Sequence, residues 1–342
     1  MRTNILAILL ATTLSFLLGE TAQAQSAAEK CDALAANPYD KTNSPDLKPP
    51  KFDDIDSDAA IRACSEAVAA QPDVARYHLQ LGRGYWKGGK FDQALAEFTI
   101  AADAGYWLAK ASIGEMYFYG DGRPVDLEKA FAINMEAAEH NISYAAYNAG
   151  RWYGNGSGVA KDPVKSLEWF RKAHELGDPD AAVDVGFAYE KGEGTPIDYA
   201  EALKWYRIAA DKGQAMAMNN IGVFYSNGNA VPRDLDKAME WFRKAEAKGN
   251  ALSHINIAEF ADQGKAIDVD HALAADYVFK AFELGNKGDD AYNRDAVYEF
   301  EWTPDFWREV QTRLKQRGDY DGPIDGQLTE ATKDALEKIL DK

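Results

Sequence analysis

Apolar and small residues recur at three- and four-residue steps through most of the chain, and this pattern itself repeats every 36 residues. Gly114, Gly150, Gly186 and Gly222 mark one register position, which Ala258 takes in the next copy. Gly120, Gly156, Gly192, Gly228 and Gly264 mark a second, and Asp126, Asp162, Asp198, Asp234 and Asp270 a third. Ala137, Ala173, Ala209, Ala245 and Ala281 form a fourth series, and Trp169, Trp205, Trp241 and Tyr277 a fifth. A fixed period of this length marks a solenoid, because so small a unit cannot bury its apolar face without neighbours.

Each copy predicts two helices. In the third, the spacing predicts a first helix over 180–191, stopped by Gly192 in the left-handed conformation that closes helices. Asp198 then opens a second helix over 199–212, its carboxylate meeting free backbone N–H groups. This helix should bury Ala202, Trp205, Tyr206 and Ala209, and Gly213 should end it. Gly186 permits close helix approach, with Tyr189 one turn on filling the gap beyond. The predicted fold class is all-α: an α-solenoid of helix-pair repeats over 58–285, without strands, followed by a small helical C-terminal module.

Stretches such as GVFYSNGNAVPRDLDKAMEWFRKAEAKGN (222–250) resemble the Sel-one-like repeats, relatives of the tetratricopeptide repeats, in five copies over 109–285. The resemblance implies a right-handed solenoid used for protein–protein contact and not for a reaction. Ala60, Ala67 and Pro72, then Gly82, Tyr85, Ala94, Phe98 and Ala101, are similar to tetratricopeptide helices over 58–108. There the loop is four residues shorter, with 19 steps from Gly82 to Ala101 against 23 from Gly114 to Ala137.

After a connector over 286–302, residues 303–342 carry VQTRL (310–314) and GDYDGPIDG (318–326) between two short helices. This resembles the small peptidoglycan-binding module of bacterial cell-wall proteins, although Thr329 stands where that family usually has glycine. The resemblance implies a shallow cleft in which Arg313, Arg317, Tyr320 and Thr332 meet a wall peptide stem. The competing reading is a cap over the open end of the repeats.

Residues 1–24 read as a secretory signal: Arg2, an apolar run from Ile5 to Leu18, and Ala22-Gln23-Ala24 as cleavage site. The run is too short to span a bilayer, so the mature chain is expected without membrane insertion, periplasmic or secreted. Residues 25–57, rich in Pro, Asp, Asn and Lys, read as irregular. They are expected to be tied by a Cys31–Cys64 disulfide, as suits an exported protein with an even cysteine count. FDDIDSD (52–58) reads as an acidic helix start, since Ala59 and Ser65 replace the glycine and glutamate of a calcium loop.

Charge and motifs then narrow the function. With 38 basic and 55 acidic residues the net charge is −17, which argues against nucleic acid and anionic lipid. GYWKGGKF (84–91) lacks the Ser or Thr of a phosphate loop, and His78, His140, His174, His254 and His271 show no metal-site spacing. They read as surface or groove residues. No nucleophile or acid–base pair stands out, so no catalytic residue, metal or cofactor is expected.

The positions two before and one after each repeat glycine share one helix face. They read Ser112, Asn148, Asp184, Asn220, Asn256 and Glu115, Arg151, Phe187, Val223, Glu259. Varied chemistry on a repeated frame suits a groove for a protein or peptide partner, with the asparagines as a ladder for its backbone. The functional expectation is an exported, non-enzymatic scaffold or adaptor of the cell envelope, tethered to peptidoglycan by its C-terminal module. The alternatives are a periplasmic regulator of a sensor kinase and a wall-modifying enzyme whose site the sequence does not reveal.

Overall fold

The computed structural model describes residues 26–285 and 296–340. The expected signal and residues 286–295 of the expected connector lie outside them. All regular structure among the described residues is helical. The chain forms two compact units, one ending at Ala181 and one beginning at Ala182.

The first unit holds α1 (26–35), α2 (Ser57–Ala70), α3 (Ala75–Lys87), α4 (Phe91–Asp103), α5 (Trp107–Tyr119), α6 (Leu127–Glu139), α7 (Ser143–Asn155) and α8 (Pro163–Glu175). The second unit holds α9 (Ala181–Lys191, less its first residue), α10 (Tyr199–Asp211), α11 (Ala215–Asn227), α12 (Leu235–Glu246), α13 (Ala251–Gln263) and α14 (His271–Gly285). It closes with α15 (Pro304–Gln316) and α16 (Glu330–Leu340). From α3 onward the odd-numbered helix opens each pair and the next even-numbered one closes it, as far as α14.

Two caps set the boundaries. The carboxylates of Asp126, Asp162, Asp198, Asp234 and Asp270 each accept the N–H three residues on, at 2.8–3.1 Å. Gly120, Gly156, Gly192, Gly228 and Gly264 end the first helices with φ between 66° and 83°, where a side chain would be strained. At the other end Asp56 caps α2 by accepting from Ala59, so the acidic stretch starts a helix as expected.

Pair geometry is set at the repeat glycines. A Cβ on Gly150 would lie 2.6 Å from the Phe170 ring, one on Gly186 2.7 Å from Tyr206, and one on Gly222 2.5 Å from Phe242. The ring comes 20 residues after the glycine in each case. It comes 16 after Gly82, where Phe98 stands 2.5 Å away, because that loop is four residues shorter. At Gly114 the neighbour is backbone instead, with the carbonyl oxygen of Ala130 at 3.2 Å. The ring of the closing helix is what the glycine accommodates, and Tyr189 packs against the same core.

The tryptophan series corrects the expected stripe. Trp169, Trp205 and Trp241 are only half-buried, while Leu203 and Ala210 join Ala202, Tyr206 and Ala209 in the core of α10. Lys172 and Lys244, one turn on, lie over the indoles of Trp169 and Trp241 at 4.6 and 4.0 Å.

The N-terminal segment is also more ordered than its composition suggested. Residues 26–35 form α1, which buries Ala28, Cys31 and Ala35 along one face. Cys31 is bonded to Cys64 of α2, as expected. At the other end, α15 and α16 cover α14: Tyr277, Val278 and Phe282 share one core with Phe306, Trp307, Val310, Leu314, Leu336 and Ile339.

The ring-on-glycine contact gives a coupling test. Gly186→Ala should cost about 1–3 kcal/mol by overpacking. In the double variant with Tyr206→Ala the two costs should be clearly less than additive. Additive losses in calorimetry would refute the contact. For the disulfide, thiol labelling of the denatured, unreduced mature protein should find no cysteine. The Cys31→Ser, Cys64→Ser variant should lose about 3–4 kcal/mol, since 33 residues separate the pair.

Candidate protein-binding face

In the first unit the face carried by the opening helices is already covered, and the cover is the chain itself. Residues 32–42 lie along α3, α5 and α7. The Asp32 carboxylate accepts from Arg76 at 3.2 Å and from the Gln80 amide at 2.8 Å. Arg83, 4% exposed, donates to the carbonyl oxygens of Ala35, at 2.7 Å, and Ala36. Burial lowers its pKa to about 10. Tyr39 stacks on Tyr144 with ring centroids 4.7 Å apart. Asp40, itself buried, accepts from the hydroxyls of Tyr106 and Thr42.

Gln80 and Arg83 stand two before and one after Gly82, the register positions singled out in the later copies. Carrying the two series back by one unit would have found both. Nothing in the sequence pointed to Arg76, Tyr106 or Tyr144, because their partners are remote in the chain and outside any repeat.

Behind the Tyr39–Tyr144 stack lies a polar network. The Tyr144 hydroxyl donates to the Glu115 carboxylate. Burial raises the Glu115 pKa from 4.5 to about 7, and the Tyr144 hydrogen bond and the charges of Arg83 and Arg151 oppose it in part. Asn148 is buried in α7, and Arg151 remains exposed. A buried Asn148 is not an open rung of a ladder.

The second unit shows the same division of labour. The Tyr206 hydroxyl donates to Glu190 at 2.7 Å, and Asn220 is half-buried. The Asn256 amide donates to Asn219 at 2.8 Å, and Glu259 holds Lys265 at 2.7 Å. Asp184 and Val223 are half-buried. Phe187 is 39% exposed, with the Lys191 ammonium 5.6 Å from its ring centre. The two expected series thus mix inward-facing support with exposed residues, and an uninterrupted asparagine ladder is not what forms.

The C-terminal residues expected at a wall-binding cleft are largely committed within the fold. Tyr320 is buried, with its hydroxyl donating to the Pro323 carbonyl at 3.0 Å. Thr332 is fully buried beside Thr329. Arg313 is held by Asp276, Glu309 and the Ala272 carbonyl. Arg317 pairs with Asp319 at 3.2 Å, though it stays exposed. These four therefore do not form the expected cleft: packing against α14 uses the same side chains.

Two histidines read as surface or groove residues are buried instead: His78 between Glu97 and the Pro72 carbonyl, and His254 against the Asn250 carbonyl. Among the described residues no group of His, Cys, Asp and Glu is arranged to hold a metal ion.

The Sel1 repeat pattern matches residues 102–132, 143–178, 179–214, 215–250 and 251–286, half of the chain. No curated protein matches it. Among solved structures the chain is similar to a Sel1 repeat protein from Oxalobacter formigenes, at 27% identity and a TM-score of 0.60, covering 77% of this chain and 98% of that one. It is also similar to a protective antigen of uropathogenic Escherichia coli with an SLR fold, at 28% identity and a TM-score of 0.59 over 76% of this chain. It spans 58% of that antigen's length.

The half-buried Glu115 should be visible in the stability of the protein. Its folded pKa lies above its unfolded value, so its contribution is fully present below about pH 4.5 and is lost as pH rises to about 7. The loss is on the order of 3 kcal/mol. Glu115→Gln should remove this slope from the melting temperature measured between those pH values. A variant with the wild-type slope would refute the assignment.

Proposed function

The chain belongs to the Sel1 repeat family, and from that premise we propose that it is an exported, non-enzymatic scaffold of the cell envelope. Its opening-helix faces bind segments of other proteins. The observation that carries this reading is residues 32–42, the end of α1 and the turns after it, seated on such a face through side-chain donors and an aromatic stack. A face that holds one segment of chain in this way has the chemistry to hold another. The disulfide supports export, since such bonds persist in oxidising compartments. No helix among the described residues is long and apolar enough to cross a membrane. The C-terminal module acts as the cap of the last repeat, because its apolar side chains are spent on α14.

A photoreactive amino acid placed at Phe187, exposed on the opening helix α9, tests the face directly. In living cells it should form a discrete adduct with a second protein. The same group at Lys204, exposed on the closing helix α10, should not. Adducts from Lys204 alone, or from neither site, would contradict the proposal.

A further inference from the structure

We propose that the opening-helix face of the first unit is a receptor for an acidic–aromatic segment of another protein that ends a helix and continues in turns, and that residues 32–40, the end of α1 and the turns after it, are its built-in ligand, displaced when such a partner arrives. The inference deepens the protein-binding reading, but it concerns a different unit from the Phe187 test, so either can fail alone.

The chemistry of the occupant follows from what the face offers. Arg76 and Gln80 converge on one carboxylate. Arg83 is buried and needs carbonyl oxygens, because an unpaired guanidinium there would be strongly destabilising. The Tyr144 ring takes an aromatic side chain, and the Tyr106 hydroxyl takes a carboxylate on the very next residue. A partner must therefore present an acidic residue, main-chain carbonyls a few residues on, and an aromatic residue followed directly by Asp or Glu. A helix lying along the groove would not serve, since only the last carbonyls of a helix are free, as those of Ala35 and Ala36 are at the end of α1, and Arg83 would be stranded anywhere else. A segment of matching chemistry replaces each bond as it leaves, so exchange leaves no buried donor unmet.

The built-in segment is held so that it can leave. The Cys31–Cys64 bond fixes one end, and the short 3-10 turn at Phe52–Asp54 leads into α2 at the other. The stretch between them has helical structure only at the end of α1, and Lys41, just past the last contact of the stack, is exposed. Its departure gives up the last turn of α1, where Ala35 is buried, so a partner must supply contacts that match that turn as well. As a tethered ligand it competes at an effective concentration in the millimolar range, so a partner in trans must bind better than the strap or be held nearby.

The probe is the peptide DALAANPYD, residues 32–40, labelled at its N-terminus and titrated by fluorescence anisotropy into the full mature protein. The variant Tyr39→Ala, Asp40→Asn weakens the strap and should bind the peptide about tenfold more tightly than wild type, or better. Adding Tyr106→Phe should abolish that gain. Equal weak binding by wild type and the strap variant, or a gain indifferent to Tyr106→Phe, would overturn the proposal. The wild-type protein gives a second readout that does not rely on a variant folding. Millimolar peptide should speed trypsin cleavage after Lys41, and a peptide with Ala and Asn at its last two positions should not. No acceleration would overturn the proposal. So would a wild-type dimer in light scattering, formed by strap exchange, with no peptide binding: it would assign the face to a second copy.

Discussion

The packing of an aromatic ring onto a glycine is the contact on which this fold depends. Where the ring lies about 2.5–2.7 Å from the place a Cβ would occupy, only glycine lets the two helices of a pair come so close. The spacing of glycine to ring is the same 20 residues at Gly150, Gly186 and Gly222, so these three pairs close on the same contact. The aspartate and glycine caps do not create that geometry; they stop the helices at the right residue so that the loop can span the remaining distance. With the pair locked, the residues beside each glycine are carried to one face in every copy. That face can then vary in chemistry without disturbing what lies beneath.

How the variation is used differs between the two sides of each helix. Between neighbouring helices, polar side chains are satisfied in small contacts, Glu115 with Tyr144 of the next opening helix and Glu190 with Tyr206 of its pair partner. Tyr206, whose ring packs on Gly186 while its hydroxyl meets a carboxylate, lets a polar face sit on an apolar core without unmet groups. Away from the partner, Arg76, Gln80 and Arg83 reach outward to a segment of chain. The disulfide holds α1 against α2, which positions that segment at the start of its path.

Much of this architecture was legible in the sequence because it is periodic. The 36-residue register, the capping aspartates and the closing glycines each rest on local chemistry repeated five times. The shorter loop after Gly82 was legible for the same reason, and it reappears as Phe98 taking the ring position four residues early. What escaped was not periodic. The strap contacts join residues 32–42 to residues 76–144, and no spacing rule links them. Helix α1 was hidden by the prolines and asparagines that follow it, although its alanines favour helix. The tryptophans were placed in the core by their apolar character, yet an indole also suits a half-buried site under a lysine stem. In the C-terminal module the turn was legible, but which of its side chains packing would claim depends on α14, which the module's own residues do not encode.

The central claim is that an opening-helix face of this fold holds a segment of chain from outside the repeats. Amide hydrogen exchange of the oxidised mature protein tests it most directly. The N–H groups of Tyr39 and Asp40 donate to Asn37 and that of Thr42 donates to Asp40, and Tyr39 and Asp40 are held by Tyr144 and Tyr106. These three amides should therefore exchange far more slowly than unstructured chain, and Tyr144→Ala should release them while the amides of α10 and α12 keep their protection. Exchange of the three amides at the unstructured rate in the unmodified protein would contradict the account.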